Sequence, residues 1–285
     1  MKFKAYLELT KPRLMLLALA ATISSFSIAH SGAWTVQDFM VLLNTVLGAA
    51  FVGGGVNALN QYLERTQDAR MKRTKDRPIP SGRLKKEGAF IFGIALTILG
   101  MVWLYFLVRP ATGAVALILL VIYVFVYTPL KQKTPLNTLI GAVAGALPVA
   151  LGWTAATGML DNRAWVLFAI LFVWQLPHFS AIAWVYRDDY RNGGFRMMSA
   201  LDESGLRTAW SIVGYSLGLF AVSLVPAIVG ITGLTYLFAA IFFGCLLMGF
   251  ALYTATHRFA DVRKFIPVSI IYLLVLNVSM MMDKA

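Results

Sequence analysis

The chain has 285 residues, 59% of them hydrophobic and only 13% charged, with a formal net charge of +12. That balance excludes a soluble globular domain and an intrinsically disordered chain, and it describes a polytopic membrane protein. The one cysteine, Cys245, rules out a disulfide framework within the chain; its apolar surroundings read as a packing position.

A membrane crossing takes about 20 apolar residues. Nine stretches qualify: Leu14–His30, Phe39–Leu59, Phe90–Val108, Ala111–Thr128, Leu136–Thr157, Ala164–Val185, Trp210–Ile231, Leu234–Thr256 and Phe265–Met282. The expected fold is therefore all-α, a polytopic membrane protein of nine transmembrane helices in one domain over residues 1–285. With the N-terminus in the cytoplasm and strict alternation, only Arg109, Arg163 and Lys284 of the 25 Lys and Arg residues fall outside, so 22 face inward. The C-terminus is then external. The basic charge follows topology, which makes the lipid bilayer a partner and excludes nucleic acid. The first 13 residues contain no cleavable signal and no Ser/Arg-rich presequence, which favours a bacterial plasma membrane.

Read in chain order, the first polar feature is at the end of span 2. Asn60, Glu64 and Asp68 are spaced four apart, which places them on one face of a helix. A dense basic loop follows, in which Arg73 and Arg77 flank a structured turn. Oxygen ligands beside arginine forks suit a magnesium-bound diphosphate: Mg²⁺ takes oxygen ligands and shares them with phosphates, and arginine neutralises the remaining charge. Span 4 brings Tyr123 and Tyr127 and ends near Lys131. Small residues at Gly141/Gly145 and Gly214/Gly218 fit close helix contacts. Span 6 carries Trp174, His178 and Phe179 after Pro177 and ends in Tyr186, Arg187, Asp188 and Asp189, with Gly193-Gly194 terminating the helix. His178 lies about 10 Å inside the span end at 1.5 Å per residue. It either ligates an iron, handles a proton, or bonds a neighbouring helix. Loops 60–89 and 186–209 are thus the candidate site.

Four blocks carry a family resemblance: Asn60-x₃-Glu64-x₃-Asp68 with Met71-Lys-Arg-Thr-Lys-Asp-Arg-Pro; Tyr127-Thr-Pro-Leu-Lys131 through Asn137; Gly145-Ala-Leu-Pro148 with Gly152-Trp153; and Trp174-Gln-Leu-Pro-His178-Phe179 leading to Asp188-Asp189 and Gly193-Gly194. On these the chain resembles the UbiA superfamily of intramembrane prenyltransferases, and within it the haem-modifying branch. It departs from the general Asn-Asp-x-x-Asp-x-x-x-Asp motif, with Gln61 at the first acid and Glu64 at the second. Asp188 and Asp189 are adjacent where the second motif has acids four apart.

The resemblance implies a helical bundle around a central cavity. It also implies transfer of the farnesyl group of farnesyl diphosphate to a vinyl group of haem b, with water addition, giving haem O. Asn60, Glu64, Asp68, Asp188 and Asp189 would hold Mg²⁺, and Arg73, Arg77, Lys131 and Arg187 the diphosphate. Tyr123, Tyr127, Trp174, Phe179 and Tyr186 would face the allylic cation and the haem by cation–π attraction, with His178 beside them. A terminal oxidase or a haem A synthase would be the protein partner receiving the product. Two other functions suit the same residues: prenylation of an aromatic quinone precursor, and transport of an anionic solute. Clustering of the charges at one mouth, away from the midplane, argues against the transporter.

Overall fold

The structure, a computed structural model, describes residues 2–257, 259 and 261–284. Arg258 of the inward-facing set lies outside the described residues. Among those described, nine helices are long and apolar enough to cross a membrane: α1 Pro12–Ala29, α2 Val36–Leu63, α3 Lys86–Leu107, α4 Pro110–Leu130, α5 Asn137–Thr157, α6 Asn162–Val185, α7 Leu206–Ile228, α8 Leu234–Thr256 and α9 Val262–Met282. Helices are the required answer for such runs, since lipid offers no partner for a free backbone N–H or C=O. Local signals set several starts. Pro12 and Pro110 occupy first-turn positions. Thr35 and Asp38 form a reciprocal capping box on α2, and the Asp161 carboxylate accepts from Ala164 N–H at the head of α6.

The expected end of span 2 at Leu59 is corrected. α2 runs 28 residues to Leu63, about 42 Å at 1.5 Å per residue and longer than the bilayer core. Its polar tail resembles a membrane exit but is buried: Asn57, Asn60 and Gln61 are all enclosed. Asn57 donates to Thr10 O and Gln61 to Leu9 O, so the short N-terminal helix Lys2–Leu9 and the turn after it cap this polar end.

α5 and α6 are the buried centre, and the other helices surround them. Gly141 and Gly145 on α5 do permit close contacts. Gly214 and Gly218 do not: Gly214 has open space and Gly218 has nothing closer than Val173 at 3.7 Å. The tighter crossing is α2 on α3, where a Cβ at Gly100 would lie 2.6 Å from Val52 N. Cys245 is also corrected. It is exposed on α8, because a lipid-facing surface is as apolar as a core.

Alternation gathers the connections as the charge pattern anticipates. At one end the segments after α2, α4 and α6 meet: Arg196 N–H donates to Lys131 O, and Asn137 Nδ2 to Arg196 O. At the opposite end Lys284 Nζ donates to Ser27 O and His30 O, and Arg109 Nε to Ala155 O. Two of the three cations expected on the outer side are thereby engaged on carbonyls at helix C-termini.

Candidate active site

The first cluster forms where α2 ends. Glu64 is the C-cap of α2, and a four-residue turn of helix, Arg65–Asp68, continues beyond it. Asn60, Glu64 and Asp68 are 1%, 4% and 0% exposed. Burying carboxylates requires partners, and each oxygen set has its own. Arg77 Nη1 reaches both Asp68 oxygens at 2.7 Å. Lys131 Nζ lies 2.7 Å from Glu64 Oε1. Lys11 Nζ donates to Asn60 Oδ1 at 3.0 Å. Although close to Lys131, Glu64 Oε1 is buried with no hydrogen bond in good alignment. Thr74 Oγ1 donates to Asp68 O and ties the turn back onto the helix end.

Burial works against the Lys131 ammonium, but Glu64, Tyr127 and Tyr123 together outweigh it, and its pKa is raised above the ordinary lysine value. Lys11 has the opposite balance: burial and the Arg77 and Lys131 charges push its pKa down to about 7.

Lys11 and Thr128 join the cluster although the motif reading passed over them. Lys11 sits in the left-handed region, φ 51°, directly before Pro12, a conformation costing about 1–3 kcal/mol for a residue other than glycine. Nothing in the pattern links it to Asn60, 49 residues away, and its charge reads as topology. Thr128 falls within a motif block, so a signal existed. Its hydroxyl donates to Tyr123 O and accepts from Asn60 Nδ2 at 3.2 Å. That arrangement turns Asn60 Oδ1 toward Lys11.

The second cluster behaves differently from its sequence reading. The helix Arg187–Asn192 follows α6 and ends at Gly193-Gly194, with Gly194 at φ +76°. Asp189 accepts from Lys72 N–H at 2.9 Å and Arg73 N–H at 3.3 Å, so it clamps the basic loop. Asp188 has a side chain 77% exposed and lies 4.0 Å from Arg187 Nε. Among the described residues no three of His, Cys, Asp and Glu stand close enough to hold a metal ion. In this structure the carboxylates of the two helices make separate contacts, Asp68 with Arg77 and Asp189 with the amides of Lys72 and Arg73. The arginine-rich loop lies between them, and its backbone amides take the Asp189 oxygens. The Arg187 guanidinium stacks 4.2 Å over Trp184, drawn by the ring face. Arg73 stacks at 4.9 Å on Tyr186 and 5.8 Å on Tyr190.

The donor set still fits a hard divalent cation. Asn60 Oδ1, Glu64 and Asp68 present hard oxygen donors at one helix end, where Glu64 Oε1 faces only the Lys131 ammonium at 2.7 Å. Mg²⁺ completes such partial sets with phosphate oxygens and water. Asp188 does not fit, being solvated and apart.

Inward from this cluster lies a cavity of about 190 Å³, walled chiefly by apolar side chains of α1, α2, α4, α5, α6 and α9. Tyr123, Tyr127, Trp174, His178 and Phe179 line it, but Tyr186 does not. Tyr186 misses because α6 ends at Val185, which leaves its ring under Arg73. A π-helical stretch, Val121–Tyr127, carries the two tyrosines; such wide turns re-aim side chains and recur at functional sites. Gly141 makes room for the Tyr127 ring, since a Cβ there would lie 2.6 Å from it. Lys131 Nζ sits 4.5 Å over the same ring, so Tyr127 joins the ionic cluster to the cavity.

The sequence profile of the UbiA prenyltransferase family matches residues 14–271. The chain belongs to the UbiA prenyltransferase family. It is 39% identical to a protoheme IX farnesyltransferase of Solibacter usitatus over 98% of both chains. It is 44% identical to one of Opitutus terrae over 84% of this chain and 80% of that one. The UbiA fold is seen in solved structures too. A digeranylgeranylglyceryl phosphate synthase superposes with TM-score 0.80 at 17% identity, covering 99% of this chain and 98% of that one. A UbiA homologue of Archaeoglobus fulgidus, bound to GPP and Mg²⁺, gives 0.68 at 13% identity, covering 98% and 99%.

The UbiA cavity carries one more ordered polar group. His178 Nδ1 lies 2.8 Å from Ser269 Oγ, and Ser269 donates its own proton to Ile266 O. Ser269 can therefore only accept, so Nδ1 carries the hydrogen and Nε2 keeps its lone pair. Trp174 stacks on the imidazole at 4.6 Å and donates its indole N–H to Ser269 O. The neighbouring-helix bond weighed from sequence is present, and it leaves the second nitrogen available.

Proposed function

We propose that this chain transfers the farnesyl group of farnesyl diphosphate to a vinyl group of haem b, with addition of water, releasing diphosphate and giving haem O. The observation that carries the reading is Tyr127. One face of its ring bounds an aromatic-lined apolar cavity, and Lys131, paired with Glu64, covers the ring. A prenyl chain and its charged head need that junction of dry and ionic walls. The relatives named for farnesylation of protohaem IX support the acceptor.

Asn60, Glu64 and Asp68 would hold Mg²⁺, which when bound neutralises charge on the leaving diphosphate. Arg77 and Lys131 move between carboxylate and phosphate oxygens, and Arg73 stands at the entrance. As the C1–O bond breaks, the electron pair leaves with the diphosphate, where these cations stabilise it. The tyrosine and tryptophan faces shield the allylic cation from water. A vinyl carbon of the haem donates the new bond, water adds to the resulting cation, and a proton is lost. His178 offers Nε2 to the haem iron. Asp189 acts by docking the Lys72–Arg73 backbone over the cluster.

The cluster would face the cytoplasm of a bacterial plasma membrane, as the inward positive charge requires, and the product would pass to a terminal oxidase or haem A synthase. The test is mass spectrometry of purified protein with haem b, farnesyl diphosphate and Mg²⁺. A haem carrying a hydroxyalkyl-linked farnesyl group is expected. No haem product, together with prenylation of a supplied aromatic quinone precursor, would overturn the assignment.

A further inference from the structure

The ionic cluster has an imbalance that the motif residues do not resolve. Three basic side chains surround Asn60, Glu64 and Asp68. Arg77 has Asp68 as its carboxylate partner and Lys131 has Glu64. Lys11 has none: among the described residues no carboxylate lies within ion-pair distance of it, and its hydrogen bond is to the neutral amide oxygen of Asn60. An ammonium has three donors and strong hydration to replace. One neutral acceptor in a half-buried site leaves it wanting an anion.

The chain also expends conformation to hold Lys11 there. Its backbone is left-handed at φ 51° and ψ 62°, and Pro12 then starts α1 at once. Strained backbone at a charged residue is a pointer to function. The neighbouring contacts fix the aim. Asn57 and Gln61 of α2 donate to Thr10 O and Leu9 O on either side of the turn, and Thr128 holds the Asn60 amide in the orientation that meets Lys11.

We infer that Lys11 is a diphosphate-binding residue, the arm by which the N-terminal turn grips the phosphate oxygens of the prenyl substrate. This rests on the reading of the α2 end as the diphosphate site. On substrate entry Nζ exchanges the Asn60 oxygen for a phosphate oxygen, which frees Asn60 Oδ1 for the cation side of the site. Lys11 is then a specificity element for the charged head, with no part in holding the acceptor.

The test compares wild-type protein with Lys11→Gln and Lys11→Arg in detergent, using inorganic pyrophosphate with Mg²⁺ as a competitive inhibitor and varying farnesyl diphosphate and haem b separately. Losing one charge-assisted hydrogen bond predicts that Lys11→Gln raises both the pyrophosphate Ki and the farnesyl diphosphate KM about tenfold, with the haem b KM unchanged. Lys11→Arg, which keeps the charge, should stay close to wild type in both. Equal pyrophosphate inhibition of wild type and Lys11→Gln would overturn the role of Lys11 alone, as would a haem b KM that rises in step. Pyrophosphate that fails to compete with farnesyl diphosphate in the wild type would overturn the site reading along with it.

Discussion

Replacing Asp189 with Ala separates the two roles that an acid at this position can play. The carboxylate accepts from Lys72 N–H at 2.9 Å and Arg73 N–H at 3.3 Å, bonds that join residues 117 and 116 positions apart. Both are solvent-accessible, so water replaces them and the value for an ordinary neutral hydrogen bond applies, about 1 kcal/mol each. Losing both weakens docking of the 69–77 loop by about 2 kcal/mol, roughly 30-fold in its open–closed equilibrium. Hydrogen exchange read by mass spectrometry should show the amides of residues 72–74 opening faster by up to that factor, with the transmembrane core unchanged. Turnover falls with it, because Arg73 and Arg77 are carried on the same loop. Asp189→Asn keeps one acceptor oxygen and should give an intermediate loss in both readouts. Exchange rates at residues 72–74 equal to wild type in Asp189→Ala, alongside lost activity, would refute the clamp and return Asp189 to metal binding.

Three more outcomes are expected. Asp68→Ala strands Arg77 beside a fully buried vacancy, costing about 3–5 kcal/mol as broken buried ion pairs do; thermal unfolding in detergent should show that Asp68→Ala/Arg77→Ala recovers part of this stability while activity stays lost. Removal of divalent cations with a chelator should abolish farnesyl transfer and added Mg²⁺ should restore it, measured by haem product formation; undiminished turnover in chelator would exclude the cation from the reaction. Asp202, which accepts from Gly205 N–H, Thr208 N–H and the Thr208 and Ser204 hydroxyls, should cost about 2 kcal/mol when changed to Ala without moving either KM. Burial opposes its ionised form, but these bonds outweigh burial and hold its carboxyl below the usual range. Its contribution is therefore present above the unfolded carboxylate pKa and is lost as pH falls through the lower folded value, which unfolding measured across acidic pH can follow.

Much of this protein was legible residue by residue. Apolar runs of about 20 residues must become helices in lipid, and Pro12, the Thr35–Asp38 pair and Asp161 mark several starts. The Lys and Arg distribution anticipated which connections share an end, and Asn60, Glu64 and Asp68 are all buried at the end of α2, near one another in sequence as a helix periodicity of 3.6 expects. Helix rotation was not legible. A soluble helix shows its core face as a stripe, but lipid is as apolar as a core, so Cys245 and the Gly214/Gly218 pair gave no sign that they face outward or stand apart. The polar tail of α2 looked like an exit because its partners, Leu9 O and Thr10 O, lie some 50 residues earlier in the chain. Only packing in three dimensions decided that Lys11 meets Asn60, that Asp189 takes the loop amides, and that Arg187 and Tyr186 turn to aromatic and guanidinium neighbours. Each of these contacts depends on where one helix end stands beside another, and no spacing along a single strand of sequence encodes that.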